Sequence, residues 1–155
     1  MPTRVQPAYK APHNPQPSNI KTTIIMTVDK KLIREYLDEL HISTRIDEDG
    51  DMVIVQSADE DFGHDVVIFV IVNNNRLSYA AGSPGYQPAE DPYFLANRHN
   101  CRRNMPTAVV RDGNVRMECS FLLDEEVSKA YIVENCIKMV LGSIWQAYVG
   151  LEKEE

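Results

Sequence analysis

The sequence predicts an α+β fold, an antiparallel sheet of about five to six strands with helices in the order α-β-β-β-β-α-β-β-α. A hairpin with an alternating return strand and a long amphipathic helix in the C-terminal third, joined by further strands in the middle of the chain, predict it. Thr107 to Arg111 leads into Asp112-Gly113, a dipeptide suited to a type I′ hairpin because both central residues need φ > 0. The return strand alternates, with Val115, Met117, Cys119, Phe121 and Leu123 facing one way and Arg116, Glu118 and Ser120 the other. Beyond it, Val133, Ile137, Val140, Ile144, Ala147 and Leu151 recur at steps of three and four, the core-facing stripe of a long helix laid across a sheet. Asp124 is the expected cap of that helix, with Glu125 and Glu126 in a first turn whose dipole favours negative charge.

The middle of the chain supplies the remaining strands. Ser43 to Asp47 and Asp51 to Gln56 flank Glu48-Asp49-Gly50, and Asp65 to Asn73 pairs with Arg76 to Ala81 across an Asn-rich turn. Met52 to Val55 and Val66 to Val72 are apolar on both sides, whereas a sheet with one wet face should alternate. Something must cover both faces of the sheet centre: either the helices divide between them, or a second copy of the chain packs there. Ahead of these strands, Leu32, Ile33, Tyr36, Leu37 and Leu40 mark one face of a first helix that starts near Thr27 or Asp29. Residues 82–92 form a loop, after which Asp91 and Pro92 open a second helix as cap and first-turn proline; Pro106 ends it.

Two units are expected, an arm over residues 1–21 and one α+β domain over residues 22–155. The arm holds Pro2, Pro7, Pro12, Pro15 and Pro17 with too little apolar surface to offset ordering, so it reads as a mobile tail or as a proline-rich ligand for another domain. Thr22 to Met26 is a β-prone piece that would add to a sheet edge. At 155 residues the chain is long enough to bury a core without staples.

Charge narrows the class of function. The net charge of −7 is uneven: residues 1–21 carry Arg4, Lys10 and Lys21 and no acid, leaving the rest near −10. An acidic body argues against nonspecific binding of nucleic acid, which needs cations to neutralise phosphates. Cys101, Cys119 and Cys136 are far apart and odd in number, as expected of reduced, buried thiols in the cytoplasm. The longest apolar run, Val66 to Val72, is too short to span a bilayer, and no basic-then-apolar leader opens the sequence.

Reactive constellations are not apparent, so no catalytic residue, metal or cofactor is expected. Asp47, Asp49 and Asp51 alternate as in a calcium loop, but Met52 and Ala58 stand where an EF-hand needs glycine and a bidentate glutamate; a solvated turn is the plainer reading. The run Asp59-Glu60-Asp61 has no better claim. His13, His41, His64 and His99 share no spacing that would bring two together as ligands. His99 and Cys101, two apart on a helix, point to different sides and make a poor base–nucleophile pair. Phosphate-binding, dinucleotide and nucleophile-elbow motifs are absent.

The residues that invite a contact role lie on the second and last helices. Tyr93, Asn97, Asn100 and Asn104 form one stripe, and asparagine, a weak helix former, suggests amides in use. Their use is either to tie the helix to loop backbone or to touch a ligand or partner. Arg98, Arg102 and Arg103 make a basic patch that either surface acids or an acidic partner would neutralise. On the last helix Tyr131, Leu141, Trp145 and Tyr148 widen the apolar arc, and Trp145 and Tyr148 suit either an interface or ordinary burial. The candidate partner-binding set is therefore Tyr93, Asn97, Asn100, Arg98, Arg102, Trp145 and Tyr148.

From about residue 27 to 151 the chain resembles the YbjN domain family, described as putative bacterial sensory transduction regulators. The resemblance rests on the first helix running into the Asp47-to-Asp51 hairpin, on Asn97 and Asn100, on the Asp112-Gly113 turn, and on the strand Val115 to Leu123 with the long last helix. It implies a fold like that of type III secretion chaperones, small acidic α/β proteins that are often dimeric and hold partner segments. The family has no agreed catalytic residues to carry over. Together these readings predict a cytoplasmic, non-enzymatic regulatory or scaffold protein, a homodimer that also holds a protein partner, with no nucleic acid or membrane involved. The alternatives are a secretion-chaperone-like protein that holds an extended segment, and a small-ligand sensor with its pocket between the Asn stripe and the 82–92 loop.

Overall fold

A computed structural model describes residues 27–124 and 126–153. The arm of residues 1–21, the piece Thr22 to Met26, His13 and Glu125 lie outside them. The elements run α1 (Lys30–Glu39), β1 (Arg45–Ile46), β2 (Met52–Gln56), β3 (Val66–Asn73), β4 (Arg76–Gly82), α2 (Pro92–Arg102), β5 (Thr107–Arg111), β6 (Asn114–Leu122) and a final helical rod. The rod consists of α3 (Lys129–Tyr131), a π-helical stretch (Ile132–Lys138) and α4 (Met139–Glu152). The predicted element order is the observed one. The six strands among the described residues belong to one sheet in the order β1-β2-β3-β4-β6-β5, each pair antiparallel.

Turn chemistry fixes the strand registers. Asn74 and Asn75 join β3 to β4 with φ of 49° and 59°, and Asp112 and Gly113 join β5 to β6 with φ of 51° and 76°. Both are two-residue turns of the primed kind, whose twist matches that of the strands they connect. The β1–β2 turn is tied differently: Gly50 N–H donates to the Asp47 carbonyl at 3.1 Å, and Asp51 N–H donates to Asp47 Oδ1 at 2.8 Å. That turn begins at Asp47, and only Arg45 and Ile46 remain as β1, shorter than the predicted Ser43 to Asp47.

The helices start where polar side chains reach backbone donors. Asp29 Oδ1 accepts from Leu32 N–H at 2.9 Å ahead of α1, and Asp91 Oδ1 accepts from Tyr93 N–H at 2.8 Å ahead of α2, with Pro92 as the first helical residue. The last helix departs from expectation. Leu123 is buried and its N–H bonds to the Asn75 carbonyl at 2.6 Å, while Val127 N–H closes a turn on the Asp124 carbonyl at 3.2 Å. Asp124 is thus held in a turn, and Ser128 caps instead, accepting from Tyr131 N–H at 3.1 Å. A second departure follows within the rod: Met139 N–H reaches the Glu134 carbonyl five residues back. In this stretch Ile132, Cys136 and Ile137 are buried, and the Tyr79 hydroxyl from β4 donates to the Cys136 carbonyl.

One core cluster joins every long helix to a single face of the sheet. Ile33, Tyr36 and Leu37 of α1, Leu95 and Ala96 of α2, and Ile137, Val140, Ile144 and Ala147 of the rod share it with Met52, Ile54, Ile68, Val70, Tyr79, Met117 and Val115. Of the two ways of covering both faces that the sequence left open, division of the helices between them is not what is found: among the described residues, no helix packs on the other face. Cys101 is likewise exposed rather than buried, at the solvent side of α2, while Cys119 is half-buried and Cys136 buried. No helix among the described residues is long and apolar enough to cross a membrane.

Candidate interaction surface

Strand alternation decides what the open face carries. The cross-strand rows place Val53 beside Phe69 and Phe69 beside Ala80, then Val55 beside Val67, and Ile71 beside Ser78. Every one of these points away from the core, because Met52, Ile54, Ile68 and Val70 between them point into it. Val55 is 43% exposed and Phe69 38%, with Val67, Ile71 and Ala80 half-buried and Val53 buried. Leu122, 65% exposed, adds an apolar outlier near the end of β6. The middle of the open face is thus a continuous apolar patch over β2, β3 and β4.

Charged side chains surround it. Arg45 pairs across from Val53 on one side, and Arg76, Arg111 and Arg116 stand on β4, β5 and β6 on the other. Among the described residues Glu118 is the one acid at the strand positions of this face; Arg111 Nε meets it at 3.2 Å, and Arg76 donates to Ser120 Oγ at 3.2 Å. An apolar centre with a charged rim is the usual anatomy of a protein contact surface.

Among the described residues the two outermost strands of the sheet are short. At one edge β1 is two residues long. At the other, the Asn100 amide takes both outward backbone groups of Ala108 in β5, donating to its carbonyl and accepting from its N–H, each at 2.8 Å. A side chain that occupies an edge in this way blocks a neighbouring strand from pairing there.

That is also where the first of the sequence candidates is found. Asn100 ties α2 to the sheet rather than facing a partner, while Asn97 Oδ1 accepts weakly from Cys101 Sγ at 4.0 Å. Asn104 falls beyond α2, which stops at Arg102, so the predicted stripe is cut short. Tyr93 is 70% exposed next to exposed Phe94. Arg98 is half-buried; it pairs with Glu90 at 3.5 Å, donates to the Leu151 carbonyl at 3.3 Å and lies 5.6 Å from the Phe94 ring centre. Arg98 and Arg102 share a shallow depression with the end of α4, on the helical side of the molecule and apart from the open face.

Trp145 and Tyr148 belong to an aromatic group built around Phe62. Phe62 is fully buried, with ring centres of Tyr86 at 5.2 Å, Trp145 at 5.8 Å and Tyr148 at 5.6 Å. Trp145 is half-buried there, but Tyr148 is 0% exposed and its hydroxyl sits 3.1 Å from the Ala81 carbonyl and 3.0 Å from the Val115 carbonyl. We assign Tyr148 to the core on that ground. Sequence reasoning missed Phe62 and Tyr86 because both lie in loops without periodicity; an aromatic in an otherwise polar loop was the available signal. The depression beside the 82–92 loop is lined by Tyr86, Gln87, Glu90 and Leu95, so Asn97 and Asn100 do not meet it.

The titratable groups with chemical potential are used structurally. His99 is buried, its Nε2 lies 2.7 Å from the Pro106 carbonyl, and burial holds its pKa below the usual histidine value. Burial, with Cys136 nearby, pushes the Cys119 thiol up to about 11, and burial raises Cys136 too. Asp59 Oδ1 accepts from the N–H groups of Asp61 at 2.7 Å and Phe62 at 3.0 Å, locking the loop that delivers Phe62. Among the described residues no three His, Cys, Asp or Glu side chains are grouped to hold a metal ion. No protein-family model matches the chain, and no curated protein matches it.

Proposed function

We propose that this chain is a non-enzymatic protein-binding module of the cytoplasm, regulatory or scaffolding in role, that holds another protein on the open face of its sheet. The observation that carries this reading is the apolar patch over β2, β3 and β4 that no described helix covers. Val55, Phe69 and Ile71 stay in contact with water in the single chain, and burying such a patch against a partner is worth roughly 25 cal/mol per Å² of apolar surface. The groups that would serve catalysis give secondary support: His99, Cys119 and Cys136 are held in packing or hydrogen bonding. The resemblance to the YbjN family points the same way.

The test compares the full chain with Phe69→Asp, each immobilised and exposed to extract of the native cell, with fold checked by thermal melting. A protein held by the first and lost from the second supports the reading. Equal retention of the same proteins by both would overturn it.

A further inference from the structure

We propose that the occupant of the open face is an acidic, apolar segment of a partner protein, its carboxylates on the arginine rim and its apolar side chains on the patch at Val55, Phe69 and Ile71. This rests on the reading of that face as a protein contact. The argument is one of charge complementarity. The whole chain is net −7, yet the strand positions of this face carry Arg45, Arg76, Arg111 and Arg116 against Glu118 alone. Cations are thus concentrated where the apolar centre is, while the acids lie elsewhere on the body.

The same charges discriminate between occupants. A second copy laid face to face would set arginines against arginines around a shared apolar centre, and like charges across an interface disfavour it. Residues 1–21 of this chain carry Arg4, Lys10 and Lys21 with no acid, so they have the wrong sign as well. A nucleic acid would satisfy the arginines but not the centre: Val55, Val67 and Ile71 offer aliphatic surface, Phe69 is the single aromatic ring there, and the acidic body repels a polyphosphate. Asn100 occupies the outward backbone groups of Ala108 in β5, and the exposed apolar groups are side chains on the face, so the contact is made by side chains across it. Guanidinium groups suit this role, because their planar fork meets a carboxylate through two bonds.

The experiment uses the full chain and fluorescently labelled, end-blocked peptides of alternating Glu and Leu, eight residues long as β3 is. Controls are the Lys–Leu and Glu–Ser peptides, a short poly-uridine RNA, and a peptide of residues 1–21; anisotropy gives affinities and sedimentation gives the oligomeric state. The proposal predicts that Glu–Leu binds best, that salt weakens it, and that Arg76→Gln with Arg116→Gln lowers its affinity by about fivefold or more. Phe69→Ser should weaken it also, and sedimentation should show the free chain without a dimer through this face. Equal or tighter binding of Lys–Leu, Glu–Ser, RNA or the 1–21 peptide overturns the acidic-segment assignment. A dimer abolished by Phe69→Asp also overturns it, while leaving the face a protein contact. No binding by any probe, together with no partner lost on Phe69→Asp, removes both readings at once.

Discussion

The two faces of this sheet are built from the same kinds of residue and do different work. Ile68 and Phe69 are neighbours in β3, yet Ile68 is 0% exposed under the helices and Phe69 is 38% exposed on the side no described helix covers. On the helical face, β-branched and aromatic side chains interlock with the rod, α1 and α2 and supply the stability of the fold. On the open face, similar side chains gain little from folding and are available for a contact. Apolar character in a strand therefore says that a surface is meant to be buried, not what will bury it.

Substitutions that strike the covered face should have the largest effects. Ile137→Ala removes a fully buried side chain from the π-helical stretch, and chemical denaturation should show a loss of about 2–5 kcal/mol. A match to wild-type stability would mean that the rod does not pack as described. Tyr148→Phe keeps the ring and removes the hydroxyl that lies between the Ala81 and Val115 carbonyls, and with it a buried hydrogen bond. Its expected cost is about 1–3 kcal/mol by the same assay, with little change in secondary structure by circular dichroism.

Asn100→Ala sharpens the comparison at the sheet margin. It frees the outward groups of Ala108, so we expect about 1 kcal/mol of lost stability and faster amide exchange at Ala108. Concentration-dependent association should appear in that variant and not in wild type, because an open edge invites pairing. The smallest effect is on pH dependence. His99 has a folded pKa below its unfolded value of 6.5, so the unfolded chain takes up the proton first as pH falls. Stability contributed by neutral His99 is present above about pH 6.5 and is lost as pH drops toward the folded pKa. Denaturation midpoints measured between about pH 7.5 and about pH 5 should fall more steeply for wild type than for His99→Gln.

Most of the fold is legible in the residues, because local chemistry and global packing agree there. Asp112-Gly113, Asn74-Asn75 and Asp91-Pro92 each specify a turn or a helix start without help from distant residues. The start of the last helix was not legible, since Asp124 and Ser128 are both good caps and the choice is made by Leu123 bonding to Asn75, far away in sequence. The π-helical stretch was hidden for the same reason: Tyr79 reaches the Cys136 carbonyl from a different strand.

The candidate surface was half visible. The missing alternation in Met52–Val55 and Val66–Val72 announced apolar groups on both faces, but periodicity cannot say on which side the helices fall. The contact set read from the helices fared differently residue by residue. Asn100 and Tyr148 are spent on the sheet backbone, Arg98 on Glu90 and Leu151, and Tyr93 remains exposed on a separate surface. The rim is not legible as a group because Arg45, Arg76 and the Arg111–Arg116 hairpin lie far apart in sequence and only the strand order brings them to one face.

The difference between the faces is tested most directly by placing the same charge on either side of one strand. Thermal melting of Ile68→Asp and Phe69→Asp should give opposite results: the first should abolish the cooperative transition, since it buries an unpaired carboxylate, and the second should melt within a few degrees of wild type. If Phe69→Asp unfolded the chain as Ile68→Asp does, the face would already be covered within the folded molecule, and its role as a surface for partners would be contradicted.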